Sequence, residues 1–212
     1  MNIELIAQNA IRITTDEGKI IYFDPFKIGE AYKNDADVIY ITHSHFDHFS
    51  PEDIAKIKKI DTQIVITKDL NEKALECGFV KDSILKVLPN NEYNYAGIIF
   101  KTIPAYNINK EFHKRAYDWV SYILEIDKNI IYVAGDTDIT EEALNVKCDI
   151  ALVPVGGTYT MNAKEAAKLI ESIAPAEYAV PTHYQTIVGT TQDAIEFKRL
   201  LEGKVEVKIL MK

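Results

Sequence analysis

Residues 42–48 read Thr-His-Ser-His-Phe-Asp-His, so three of the chain's five histidines fall beside an aspartate within six positions. Imidazole nitrogen and carboxylate oxygen together suit Zn²⁺, Fe²⁺ or Mn²⁺. His43 and His45 stand two apart, and in an extended segment their rings project to the same side. The apolar run Val38-Ile39-Tyr40-Ile41 leads straight into them. The pattern is that of a buried strand whose C-terminal end opens into a loop of metal ligands. A polar turn that is merely rich in histidine is the competing reading.

Two later segments supply the missing parts. In Ile130-Ile131-Tyr132-Val133-Ala134-Gly135-Asp136 a second apolar strand ends in a carboxylate, after a glycine that permits close backbone approach. In Tyr178-Ala179-Val180-Pro181-Thr182-His183-Tyr184 a third ends in a histidine. Strands that deliver ligands at their C-terminal ends matter because open α/β sheets bind there. His43, His45 and a third group are expected to hold one metal ion, and Asp47, His48 and His183 a second, with Asp136 between them. A divalent ion lowers the pKa of bound water toward about 7, and two ions about 3.5–4 Å apart hold the nucleophile and polarise the substrate together. Asp47 is the candidate catalytic residue, orienting the nucleophile or passing a proton to the leaving group.

The elements that must position these groups follow from hydrophobic period and punctuation. Strands are expected at 2–7, 11–15 and 19–24, then at 38–42 before the histidine loop. Ser50-Pro51-Glu52-Asp53 opens a helix that runs to about Lys59, with Ser50 as N-cap and Pro51 at the first helical position. A strand at 63–66 and a helix at 69–77 ending at Gly78 follow. Residues 83–87, 92–95 and 98–103 read as antiparallel strands, with turns at Pro89-Asn90-Asn91 and Ala96-Gly97. After a loop at 104–117 come strands at 119–126 and 129–134 joined through Asp127-Lys128. Helix 139–146, strand 149–154, helix 162–172 with a capping box from Asn162 to Glu165, strand 177–181, helix 191–201 and strand 204–210 close the chain. Two similar halves suit an α/β fold of two sheets packed face to face with helices outside.

A chain of 212 residues fits one sizeable core, read here as a single domain over 1–212. A net charge of −8 without a basic stripe disfavours nucleic acid and anionic membrane as partners, leaving a small-molecule substrate. Cys77 and Cys148 are too far apart for a metal-binding pair and read as reduced thiols. No basic-then-apolar leader and no run of about 18 apolar residues is present, so a cytoplasmic location is expected. Composition does not fix the oligomeric state.

With these segments placed, the chain resembles the metallo-β-lactamase-fold hydrolases over nearly its whole length. His43-x-His45-x-Asp47-His48 carries the resemblance, with Gly135-Asp136-Thr137 and Thr182-His183-Tyr184 at the expected later positions. Asp24-Pro25-Phe26 and residues 154–161 look like the compact branch related to ascorbate-6-phosphate lactonase. The resemblance implies a four-layer αββα sandwich, two zinc ions (or manganese or iron) at the sheet edges, and Asp24 near the site supporting a ligand. An ordinary Asp-Pro turn is the alternative for Asp24. Relatives carry a histidine just after the strand at 98–103, where this chain has Asn107, a poor zinc ligand. His113 is the candidate replacement, and without it one metal remains. Tyr184 is read as either a packing side chain or a support for the site, Tyr106, Tyr159 and Trp119 as packing, and Gly156-Gly157 as either backbone donors to substrate or a tight turn. A metal-dependent hydrolase of an ester, lactone or phosphoester is the leading expectation. A one-iron redox enzyme and a non-catalytic metal-stabilised binding module are the alternatives.

Overall fold

A computed structural model describes residues 1–211. The first sheet takes its six strands in chain order: β1 (Asn2–Ala7), β2 (Ala10–Thr14), β3 (Ile20–Phe23), β4 (Ala36–Tyr40), β5 (Lys58–Thr67) and β6 (Ile84–Val87). The second has seven: β7 (Glu92–Tyr95), β8 (Ile98–Pro104), β9 (Val120–Ile126), β10 (Asn129–Val133), β11 (Ile150–Pro154), β12 (Tyr178–Thr182) and β13 (Glu206–Val207). Each sheet begins as an antiparallel meander and turns parallel, at β3 in the first and at β10 in the second. The helices are α1 (Pro51–Ile57), α2 (Asn71–Glu76), α3 (Glu141–Leu144), α4 (Ala163–Ile173) and α5 (Thr191–Leu200).

Period-two patterning builds the layers. Ile21 and Phe23 of β3, Val38 and Tyr40 of β4 and Val65 of β5 turn toward the second sheet. There Tyr40 meets Phe100 and Tyr122, each with ring centroids 5.2 Å from its own. The alternate residues Tyr22, Ile39, Ile64 and Ile66 form a separate apolar layer with Ile54, Ile57, Leu70 and Ala74 of the helical side. Both faces of β4 are therefore covered, which is why it reads as a continuous apolar run. The αββα sandwich is as expected. No helix among the described residues is long and apolar enough to cross a membrane.

Several boundaries differ from expectation. The strand at 84–87 pairs parallel with β5 in the first sheet, and does not join 92–95 and 98–103 in an antiparallel set. The cause is α2, a crossover that returns the chain parallel to β5. Pro89-Asn90-Asn91 then carries the chain from one sheet to the other. Helix α1 stops at Ile57 and β5 starts at Lys58, because the Thr62 hydroxyl accepts from Lys59 N–H and donates to the Ala36 carbonyl, tying this polar stretch to β4. The helix expected at 139–146 is one turn, capped by Thr140, and the last strand is confined to Glu206–Val207. Asp127 and Lys128 both have positive φ, 49° and 67°, as a tight β-hairpin turn requires.

Ser50 caps α1 as expected, its hydroxyl accepting from Asp53 N–H, and the Asp53 carboxylate does more. It accepts from Lys27 N–H at 2.9 Å, Ile28 N–H at 3.0 Å, the Ser50 hydroxyl at 2.8 Å and Lys56 Nζ at 3.0 Å. Burial opposes its ionisation, but these donors outweigh that and hold the carboxyl below its ordinary range. The contacts pin the segment after Asp24 to the start of α1. Asp53→Ala is expected to lower the free energy of unfolding by about 2–3 kcal/mol, read from urea denaturation, because it orphans two backbone donors.

Candidate metal centre

Beyond Tyr40 the chain stays tied to both sheets. Ile41 N–H donates to the Val65 carbonyl, the Ile41 carbonyl accepts from the Tyr122 hydroxyl at 2.7 Å, and the Thr42 carbonyl accepts from Val120 N–H at 3.2 Å. The loop then closes on itself, with His48 and Phe49 N–H both donating to the His45 carbonyl. His43 Nε2 and His45 Nδ1 come to 3.1 Å, on one side as the spacing implies. Trp119, expected to pack in the core, is buried and also backs this pair, with ring centroids 4.7 Å from His43 and 4.8 Å from His45.

Asp24 is fully buried and sits behind the loop. Its Oδ1 accepts from Thr42 N–H at 2.8 Å, and its Oδ2 lies 2.7 Å from each of Asn9 Nδ2, Thr42 Oγ1 and His48 Nδ1. The last contact puts the proton of His48 on Nδ1 and turns Nε2 into the pocket. Thr42 donates its hydroxyl proton to Asp24, so the same oxygen is free to accept from His43 Nδ1 at 3.0 Å. One carboxylate thereby sets the tautomers of two imidazoles.

The second sheet brings the remaining groups. Gly135 has φ +62°, and a Cβ there would lie 2.9 Å from Thr42 Cβ, so only glycine lets β10 deliver Asp136 against the histidine loop. Asp136 Oδ2 is 3.1 Å from His113 Nε2, 3.1 Å from His183 Nε2 and 3.9 Å from His43 Nε2, while Oδ1 is 3.4 Å from His48 Nε2. His183 has φ +54° and donates its N–H to the Gln8 carbonyl. Gly156 packs beneath it, where a Cβ would fall 2.2 Å from the His183 carbonyl, and Gly157 N–H donates to Met161 O, so this glycine pair forms a tight turn.

His113 folds back into the cluster through a left-handed residue, φ +56°, with Asn107 N–H donating to its carbonyl. His113 Nδ1 lies 3.1 Å from the Tyr159 carbonyl, which leaves Nε2 facing Asp136. The Asn107 amide donates to the Phe112 and Tyr159 carbonyls at 3.0 and 2.7 Å. Asn107 thus stands behind His113. Tyr184 is fully buried in the core, and burial pushes its phenol up to about 12. Sequence reasoning missed Gln8, whose Nε2 lies 3.0 Å from both Asp47 Oδ2 and His183 Nε2. Nothing marks a polar pair between two strands as more than a turn.

The candidate ligand atoms form two groups. Those of His43, His45, His113 and Asp136 all lie within 4.8 Å of one another, as do those of Asp47, His48 and His183. Asp136 touches both. His48 Nε2, His113 Nε2 and Asp136 Oδ1 are buried with no hydrogen-bond partner, a condition that a divalent cation resolves and that folded proteins otherwise avoid. The nitrogen and oxygen donor set fits zinc, manganese or iron.

Electrostatics divides the imidazoles. Burial, then the neighbouring His48, holds His43 well below its ordinary pKa. Burial and His113 bring His45 to about 4. Burial also acts against charge at His48 and His183, but Asp136 outweighs it, raising His48 well above the ordinary value and His183 to about 9. The same pairs hold Asp136 well below the usual carboxylate range, and His183 and His48 lower Asp47, in each case against burial.

Residues 2–183 match the family model described as "Beta-lactamase superfamily domain". The UPF0173 metal-dependent hydrolase PH1671 of Pyrococcus horikoshii is 34% identical over 206 residues, covering 91% of this chain and 89% of the relative. A solved structure described as a metal-dependent hydrolase, from Parabacteroides distasonis, superposes with TM-score 0.85 at 28% identity, covering 99% of this chain and 93% of the other. Igni18, a metallo hydrolase of Ignicoccus hospitalis, has the same fold, with TM-score 0.80 at 23% identity and 99% and 94% coverage. The fold and match define the metallo-β-lactamase superfamily. Within it, the chain belongs to the UPF0173 family of metal-dependent hydrolases.

Replacing Asp24 with Asn removes the shared acceptor behind His48 and Thr42, and is expected to weaken metal binding by about 10–100-fold in competition with a chromophoric chelator. Metal uptake must also displace the protons that Asp136 holds on His48 and His183. Apparent metal affinity is therefore expected to rise with pH through the range in which His183, raised to about 9, and His48, also raised, give up their protons. Calorimetry in buffers of different ionisation enthalpy reads the released protons directly.

Proposed function

We propose that the chain, as one domain over residues 1–212, uses a metal-activated water to hydrolyse an ester, lactone or phosphoester bond of a small molecule. One observation carries this reading. Candidate ligands from both sheets, His45 and Asp47 from the first and His113, Asp136 and His183 from the second, meet at the floor of an open cavity of about 240 Å³, and His113 Nε2 and Asp136 Oδ1 are buried there without a hydrogen-bond partner. His43, His45 and His113 would hold one ion, Asp47, His48 and His183 a second, and Asp136 would serve both. Zinc is the proposed metal, and the same donors accept manganese or iron.

A divalent cation there supplies a lowered water pKa and polarises the bond to be cleaved. The chain's own residues do the rest. Asp24 and Thr42 keep the Nε2 atoms of His48 and His43 turned inward, so metal uptake would take a proton from His48 but need little movement of either ring. Asp47 is held ionised by its histidine neighbours and lines the cavity. Gln8 Nε2 donates to its Oδ2, leaving Oδ1 to orient water or to carry a proton to the leaving group. The likeness of Asp24-Pro25-Phe26 and residues 154–161 to the ascorbate-6-phosphate lactonase branch makes lactones an early choice of test compound. The absence of a histidine at Asn107 is the main support for a non-catalytic, metal-stabilised module, whereas the approach of His113 Nε2 to 3.1 Å from Asp136 Oδ2 supports the hydrolase reading. Free Cys77 and Cys148 suit the proposed cytoplasmic location.

Zinc-loaded protein is expected to hydrolyse members of an ester, lactone and phosphodiester panel and to lose that activity to a chelator. His45→Ala and His113→Ala should each lower kcat/KM by more than the roughly 10–100-fold typical of outer-shell changes, and His113→Ala should also lower bound metal. Asn107→Ala should fall within that outer-shell range. Metal lost from Asn107→Ala and kept in His113→Ala would reverse the assignment.

A further inference from the structure

The cavity above the metal groups has two kinds of wall. Its floor consists of candidate ligands. Every other lining residue is apolar or aromatic: Phe46, Phe112, Tyr159 and Ile187. Phe46, Phe112 and Ile187 are 67%, 49% and 42% exposed, gathered at one mouth from three separate loops. Contiguous exposed apolar side chains of this size mark binding surfaces. They are held in place, with Phe112 edge-on to Tyr159 at 4.8 Å and Phe46 edge-on to Phe26 at 6.0 Å.

Charge is excluded from the same wall. Among the described residues no lysine or arginine lines the cavity. Of the three cations in the loop that carries Phe112, Lys110 is paired with Asp138 and Arg115 with Glu142, and Lys114 lies outside the lining. A phosphate, carboxylate or polyol distal to the cleaved bond would lose water against four hydrocarbon surfaces and gain one phenol. The volume of about 240 Å³ lies below the ~300–1,000 Å³ of sites for drug-sized ligands, so the ligand is small.

Resting on the hydrolase reading above, we propose that the substrate is a neutral carboxylic ester or lactone whose acyl portion is a short apolar chain seated on Phe46, Phe112, Tyr159 and Ile187. Water adds its oxygen to the acyl carbon, the acyl C–O bond breaks, the alkoxy oxygen takes one proton, and the acid leaves as a carboxylate with release of the other.

The test uses zinc-loaded protein and two homologous series. Straight-chain hydroxamates from two to eight carbons, which need only metal and wall, are titrated by calorimetry. Their Kd should tighten by about two- to fourfold per methylene until the wall is covered. A carboxylate at the far end should cancel the gain, and Phe112→Ala and Ile187→Ala should flatten the slope. For p-nitrophenyl esters over the same lengths, kcat/KM should rise in parallel. Hydroxamate affinity that is flat with length, or improved by the distal carboxylate, would overturn the substrate class. A rising hydroxamate slope without turnover of any ester would uphold the apolar wall and count against the hydrolase reading instead.

Discussion

Asp136 is the group around which the two halves of the molecule are arranged. It is a carboxylate with 3% of its surface exposed, and an isolated charge at such depth is untenable. Imidazoles from the histidine loop of the first sheet and from the two loops of the second approach it from different sides. The sandwich therefore closes on an electrostatic as well as an apolar contact. Tyr40, Phe100 and Tyr122 fill the space between the sheets, and the ionisable groups occupy the end where the strands run out. That division keeps charge off the packed interior and concentrates it where ligands can arrive.

Orientation is the second requirement, and it is met mostly by groups that never reach the cavity. Asp24, Thr42 and the Tyr159 carbonyl each hold one ring nitrogen of an imidazole and leave the other inward, and Asn107 in turn holds the Tyr159 carbonyl. Backbone at positive φ in Asp24, His113 and His183 adds to the cost of building the site. Such conformations persist only where surrounding contacts over-determine them. A pocket assembled this way is rigid at its floor, while its mouth is formed by side chains on loops.

What could be read from the sequence was what lies close together in it. Residues 38–48 hold a strand and its ligands contiguously, and Gly135-Asp136 and Thr182-His183 repeat the same strand-to-ligand step, so the cluster and the sandwich were both legible. The choice between Asn107 and His113 was not, because it turns on a loop reversal and on the Tyr159 carbonyl, more than forty residues away in sequence. Gln8 was hidden for the same reason: its partners are Asp47 and His183. The sheet to which strand 84–87 belongs is not legible in its own residues, because only the crossover through α2 sets it parallel to β5. The apolar mouth was invisible, since Phe46, Phe112 and Ile187 have no common period or spacing.

Anomalous diffraction from crystals grown with zinc or manganese tests the central claim most directly. Density at the metal edge should lie among His43, His45, His113 and Asp136, with further density at Asp47, His48 and His183 where a second ion is retained. Occupied sites elsewhere on the chain, with Asp136 still contacting only protein, would contradict it.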